Sequence, residues 1–129
     1  MRIVGHGIDL VEVARIAQML ERHGQAFLDR CFTPAEQDYG RDSRRRNEHL
    51  AARFAAKEAL IKALGTGLRS GINWTDIEVH NEPSGRPAIR LSRSAAEVAL
   101  TLGADQFWLS LSHTDAHATA SVIAVDTRG

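Results

Sequence analysis

The chain has 129 residues with 16 basic and 16 acidic side chains and six histidines, so its formal charge is zero and its length fits a single domain spanning residues 1–129. That balance argues against a wholly basic nucleic-acid binder and a polyanionic tail, and 43% apolar with 25% charged residues excludes a disordered chain. The lone Cys31 rules out an intramolecular disulfide and a cysteine-rich zinc module and fits a reducing cytosol; no apolar run approaches the roughly 20 residues of a membrane span, and the start MRIVGHGID lacks a signal-type core.

Arg2 to Leu10 reads as a short strand in which Gly5 and Gly7 permit close backbone approach and Asp9 sits near the end. From Val11 to His23, Val13, Ile16, Ala17 and Leu20 fall at helical spacing and Gly24 supplies a stop. Thr33-Pro34-Ala35-Glu36 combines a capping threonine, proline at the first helical position and glutamate three residues after the cap, which starts a short helix reaching about Gly40. A polar, basic stretch from Arg41 to Asn47 leads into the most regular helix, about Glu48 to Leu64, closed by Gly65. Leu50, Phe54, Leu60, Ile61 and Leu64 form one broad face of it. Ala52, Ala55, Ala56, Ala59 and Ala63 form the other, as expected of a helix at the centre of a fold, though the alanine face also suits an interface. Trp74 to His80 and Ala88 to Leu91 predict a hairpin, and Ser94-Ala95-Ala96-Glu97 a second capping box opening a helix that ends at Gly103. Phe107 to Leu111 and Ala118 to Val125 predict two strands with a loop from His113 to His117. The order implies an α+β fold, a mostly antiparallel sheet with a long central helix.

The zero charge hides a local surplus. Residues 41–62 hold seven basic side chains against three acidic ones. A solvated arginine loop accounts for part of this. Arg53, Lys57, Glu58 and Lys62, however, sit on an otherwise apolar helix, where a cation is costly unless an anion meets it. Such residues suggest a phosphate or carboxylate ligand, the alternative being structural ion pairs such as Lys62 with Glu58. Asp9 and Glu58 beside this basic surround form a second pair of interest. Magnesium takes one or two protein carboxylates and completes its shell with water and phosphate oxygens, an arrangement suited to phosphoryl transfer. His113 to His117 makes a poor zinc site, Gly65-Thr66-Gly67 lacks the Gly-Lys-Ser/Thr ending of a P-loop, Ser112-His113 lacks a nucleophile elbow, and Cys31 reads as a packed small hydrophobe.

Gly7-Ile8-Asp9-Leu10-Val11, Phe32-Thr33-Pro34-Ala35-Glu36, Arg53-Phe54-Ala55-Ala56-Lys57-Glu58-Ala59 with Lys62 and Gly65-Thr66-Gly67, and Leu111-Ser112-His113-Thr114 occur in that order over nearly the whole chain. The set closely resembles the holo-[acyl-carrier-protein] synthases, the short type of 4′-phosphopantetheinyl transferase. The resemblance implies magnesium-dependent transfer of 4′-phosphopantetheine from coenzyme A to a serine of apo acyl carrier protein, leaving adenosine 3′,5′-bisphosphate, in support of fatty acid biosynthesis in the cytoplasm. Asp9 and Glu58 would hold the metal, Lys62 would neutralise phosphate charge, and Glu58 or a water it orients would take the serine proton. Arg44, Arg45, Arg46, Arg53, Ser112, His113 and Thr114 would meet the adenosine phosphates, with Gly65 and Thr66 also at the cofactor and Gly85 and Pro87 beside the adenine. Arg15 and Arg22 would face the acidic carrier. The resemblance further implies a homotrimer with coenzyme A between protomers; one copy of the motif set in a short chain agrees with a shared site. Against this stand a non-catalytic module holding a phosphorylated ligand, and a small RNA binder, disfavoured by an aromatic content of only 5%.

Overall fold

The computed structural model describes residues 1–65 and 71–129. Its centre is a strand laid directly on a helix. β1 (Arg2–Glu12) crosses α4 (Arg46–Leu64) so closely that a Cβ added to Gly5 would overlap the carbonyl oxygen of Ala63, and one added to Gly7 that of Ala59. Alternation along the strand puts Gly5, Gly7, Asp9 and Val11 in one row facing the helix, while His6, Ile8 and Leu10 face away. The neighbouring strand β5 (His117–Asp126) continues the small inward surface with Ala118, Ala120, Val122 and Ala124, all buried. The alanine face of the helix therefore belongs to the core, with Ala51, Ala55, Ala56 and Ala59 fully covered. Gly65, in the left-handed region at φ 74°, ends α4 by bonding its N–H to the carbonyls of Ile61 and Lys62.

Two antiparallel sheets flank α4. The first has strand order β1-β5-β4, where β4 is Gln106–His113, with a register shift between Ile3 and Gly5. The second is the hairpin β2 (Ile77–Asn81) with β3 (Pro87–Leu91). Helices α1 (Val13–His23), α2 (Gln25–Cys31) and α3 (Pro34–Asp38) connect β1 to α4, and α5 (Arg93–Leu102) lies between the sheets in sequence. The fold is α+β with antiparallel sheets and a long central helix, as the pattern predicts.

Several boundaries differ, for local reasons. Pairing with β5 carries β1 through Glu12 opposite His117, so α1 starts at Val13 and not Val11. The helix α2 has no sequence expectation; seven residues are too few to show a period. Trp74–Asp76 is a single 3₁₀ turn, and the second capping box does not form. Arg93 donates to Asp76 Oδ1 at 2.9 Å and to the Thr75 carbonyl, and the Ser92 N–H bonds the Asp76 carbonyl, which draws the start of α5 back to Arg93. His113 and His117 end the paired strands, so the loop shrinks to residues 114–116.

The capping box at Thr33 does form: Glu36 N–H donates to Thr33 Oγ1 and Thr33 N–H to Glu36 Oε1. Its glutamate also meets a buried cation. Lys57 and Glu36 are both fully covered and bond at 2.6 Å, so the anion that Lys57 requires is a carboxylate of the same chain. Removing one partner of such a pair costs about 3–5 kcal/mol, because a bare charge stays behind.

Candidate functional site

The glycine row that lets β1 approach α4 also delivers Asp9 to the helix. Lys62 Nζ donates to Asp9 Oδ1 and to the Ile8 carbonyl, each at 3.0 Å. The lysine thus pairs with Asp9 and not with Glu58, the alternative that helical spacing had offered. Glu58 lies one turn before Lys62 on the same face. Burial, and then the negative charge of Asp9, hold its carboxyl above the usual carboxylate range, against the pull of Lys62 and Arg15. Two carboxylates at one strand–helix joint, one raised by burial and then by the other's charge, form a hard-oxygen donor set that a divalent cation would relieve. Among the described residues no group of three or more His, Cys, Asp or Glu is placed to hold a metal ion, so a cation here would have these two carboxylates as its protein ligands.

The basic residues occupy the other side of α4. At about 100° per residue, Arg46, His49 and Arg53 share a stripe, while Glu58 stands roughly 140° and Lys62 roughly 180° from Arg53. Arg53 is buried. One terminal nitrogen donates to Asn81 Oδ1 at 2.9 Å, and the guanidinium lies 3.9 Å from the ring centre of Tyr39. The Nε atoms of both Arg46 and Arg53 are buried without a hydrogen-bond partner among the described residues. Orphaned buried donors on one stripe suit an anion.

His113, at the end of β4, bonds Glu48 Oε1 through Nδ1 at 3.1 Å. An ionised glutamate has no proton to give, so Nδ1 carries the hydrogen and Nε2 stays an acceptor unless the ring is protonated. His49 stacks edge-on between Tyr39 and His113, with centroids 5.3 and 6.4 Å away. Burial first, then Arg53 and His113, lower its pKa, so its imidazole favours the neutral form.

The turn from Glu82 to Arg86 closes on the same side. Asn81 donates to the Gly85 carbonyl, Gly85 adopts φ 90°, and Arg86 sits 4.9 Å from the Trp108 ring centre. Thr114 Oγ1 accepts the N–H groups of Ala116 and His117, which fixes its hydroxyl for donation outward. Ser112 stands apart from His113, since neighbours on a strand point to opposite faces, and it shares the outer face of its sheet with Trp108. Arg44 and Arg45 are exposed at the helix entrance. Gly65 caps α4 near Lys62; Thr66 lies outside the described residues.

A third feature adjoins Glu58. Arg15, Met19 and Arg22 line one side of α1 at i, i+4 and i+7, and Arg15 is near enough to act on the Glu58 charge. Between α1, α2 and α4 a cavity of about 410 Å³ is lined by Ile16, Met19, Phe27, Phe54 and Trp74, with Arg15 and Arg30 among its polar members. Sequence reasoning finds Asp9, Glu58, Lys62, Arg53 and His113 but misses Tyr39, His49 and Asn81. Only His49 carries a signal, its place one turn before Arg53.

Residues 5–122 match the model of the 4′-phosphopantetheinyl transferase superfamily. A holo-[acyl-carrier-protein] synthase of Koribacter versatilis is 52% identical over 96% of this chain and 99% of its own. Among solved structures, the holo-[acyl-carrier-protein] synthase of Neisseria meningitidis superposes with a TM-score of 0.87 at 32% identity, covering 95% of this chain and 98% of that one. That of Helicobacter pylori, solved in complex with coenzyme A, gives 0.82 at 32% identity over 93% and 99%.

Proposed function

The chain belongs to the 4′-phosphopantetheinyl transferase superfamily, and from that premise we propose how it carries out holo-[acyl-carrier-protein] synthesis. The reaction moves 4′-phosphopantetheine from coenzyme A to a serine hydroxyl of apo acyl carrier protein. The serine oxygen forms a bond to the pantetheine-side phosphorus, the bond to the bridging pyrophosphate oxygen breaks, and adenosine 3′,5′-bisphosphate leaves. The observation that carries the assignment is the meeting of Asp9, Glu58 and Lys62 where β1 crosses α4. Asp9 and Glu58 are the residues that would hold magnesium, which when bound supplies charge neutralisation at the pyrophosphate. Lys62, already a donor at this spot, adds a second positive charge for the phosphate oxygens. Glu58, whose burial favours proton uptake, accepts the serine proton directly or through a water it orients. Incubation with apo acyl carrier protein, coenzyme A and magnesium should give a carrier heavier by one phosphopantetheine in the mass spectrum; an unmodified carrier that still binds would leave only a binding module.

Coenzyme A spans both sides of α4 in this reading, its pyrophosphate at Glu58 and its adenosine phosphates at Arg45, Arg46, Arg53, His113 and Thr114, with Arg44 and Ser112 at the margin and Gly85 and Pro87 beside the base. Opposite faces of one helix do not reach one ligand, so the two halves come from neighbouring protomers of a trimer. An outward sheet face with Ile8 at 60% and Leu10 at 66% exposure, and Trp108 on the same face two strands away, supports that assembly. Ile8→Arg should therefore yield a monomer by sedimentation equilibrium with activity lost; a trimer of unchanged mass would remove this face from the interface.

Acyl carrier protein docks on α1 through Arg15 and Arg22, which brings its serine beside Glu58. Arg15→Glu is expected to weaken carrier binding about tenfold in calorimetry, with the gap to the unaltered protein narrowing as salt screens beyond about 8–10 Å. Equal affinities would clear Arg15 of that role. We also place the enzyme in the cytoplasm, where its buried Cys31 stays a free thiol and its product serves fatty acid biosynthesis; among the described residues no helix is long and apolar enough to cross a membrane.

A further inference from the structure

The ammonium of Lys57 donates to three oxygens in the interior: Glu36 Oε1 at 2.6 Å, the Cys31 carbonyl at 2.8 Å and the Trp74 carbonyl at 3.1 Å. All three of its protons are used. Glu36 in turn accepts the Thr33 N–H on Oε1 at 2.9 Å and the Val79 N–H on Oε2 at 2.8 Å. Val79 lies on β2 two residues before Asn81, which accepts from Arg53, and Arg53 lies one turn before Lys57 on α4. The bonds close a ring: Lys57 to Glu36, Glu36 to β2, Asn81 to Arg53, and back along one turn of helix.

We propose that the buried Lys57–Glu36 pair is a positioning device for coenzyme A, holding β2 against α4 so that Asn81 presents the Arg53 guanidinium and the Gly85 turn to the ligand. This rests on the reading that Arg53 and that turn meet coenzyme A. Two charges are a costly way to fill an interior, and apolar residues of similar volume often stabilise as well. The pair adds direction. Only one rotation of α4 satisfies the lysine's three acceptors at once, and only one register of β2 puts the Val79 N–H on Glu36. Arg53 depends on that register because its Nε has no partner among the described residues and Asn81 holds its outer nitrogen. The effect reaches the ligand through other residues, so it belongs in KM and not in the chemical step.

The test is the double variant Glu36→Gln with Lys57→Met, which removes both charges together, and separately Asn81→Ala, which opens the ring while leaving the Lys57–Glu36 ion pair in place. Both are assayed beside the unaltered protein, with thermal melts to establish folding. The double variant should raise KM for coenzyme A between about tenfold and a hundredfold, the range for ångström-scale misplacement, while kcat at saturating coenzyme A and KM for the carrier stay within about twofold. Asn81→Ala should raise KM for coenzyme A likewise. A folded double variant with unchanged KM for coenzyme A, or a loss confined to kcat, overturns the proposal. If the double variant does not fold, Asn81→Ala decides alone: unchanged KM overturns the proposal, a selective rise supports it. Failure of the unaltered protein to bind coenzyme A would instead refute the underlying assignment, and the positioning role with it.

Discussion

Glu58→Gln is expected to lower kcat at least a hundredfold, roughly the lower bound for loss of a general base, while the thermal melt hardly moves. The substitution keeps the shape and one acceptor oxygen, and it removes a charge that burial and Asp9 already oppose, so folding loses little. Catalysis loses two things together, the acceptor for the serine proton and half of the carboxylate pair with Asp9. Asp9→Asn should show the weaker form of the same defect, with Lys62 also freed from its partner. The assay is single-turnover transfer at saturating magnesium with coenzyme A binding measured in parallel. Near-normal turnover in Glu58→Gln would remove the residue from the reaction.

Gly7→Ala is expected to be the most damaging small change in the chain. The new methyl would overlap the Ala59 carbonyl oxygen and stand 2.8 Å from the Ala63 nitrogen, both main-chain atoms of α4. Neither side yields easily: Gly7 is paired with Val122 in the sheet, and α4 is buried along most of its length. A loss of more than about 3 kcal/mol follows, at the upper end for overpacking. In a chain of this size that lowers the melting temperature by roughly ten degrees or more. A denaturation midpoint within the range of surface substitutions would contradict the contact. Gly65 offers the contrast: among the described residues nothing lies within 4 Å of a Cβ there. Alanine would pay only the left-handed backbone, about 1 kcal/mol.

Much of this was legible before the coordinates. The periodicity of residues 48–64 shows a helix apolar nearly all round, and the glycines at 5 and 7 announce a close backbone approach; that the approach is made to α4 is a tertiary fact that spacing leaves open, and the joining of Asp9 with Glu58 rests on the motif resemblance. Chemistry alone, without the motif resemblance, leaves Lys62 free to choose Glu58 or Asp9; the choice depends on how far β1 advances, a tertiary quantity. Lys57 shows the limit more sharply. Its spacing from Arg53 suggests a shared ligand, yet 40° around the helix separates a side chain locked on Glu36 from one held by Asn81. Glu36 is visible in sequence only as a capping residue. Its second task, accepting from Val79, joins residues 43 positions apart, and no local pattern encodes that bond. The contact of Tyr39 with Arg53 falls to the same cause.

The joint between β1 and α4 has a genetic corollary. Most core defects can be repaired by a second change elsewhere, because a side chain pressed by a larger neighbour can be shortened. Here the pressed atoms are carbonyl oxygens and an amide nitrogen, which every amino acid carries. Shortening Ala59 or Ala63 to glycine would leave those atoms in place. A selection for revertants of Gly7→Ala should thus return glycine at position 7 itself and no intragenic suppressor on the facing turn of the helix.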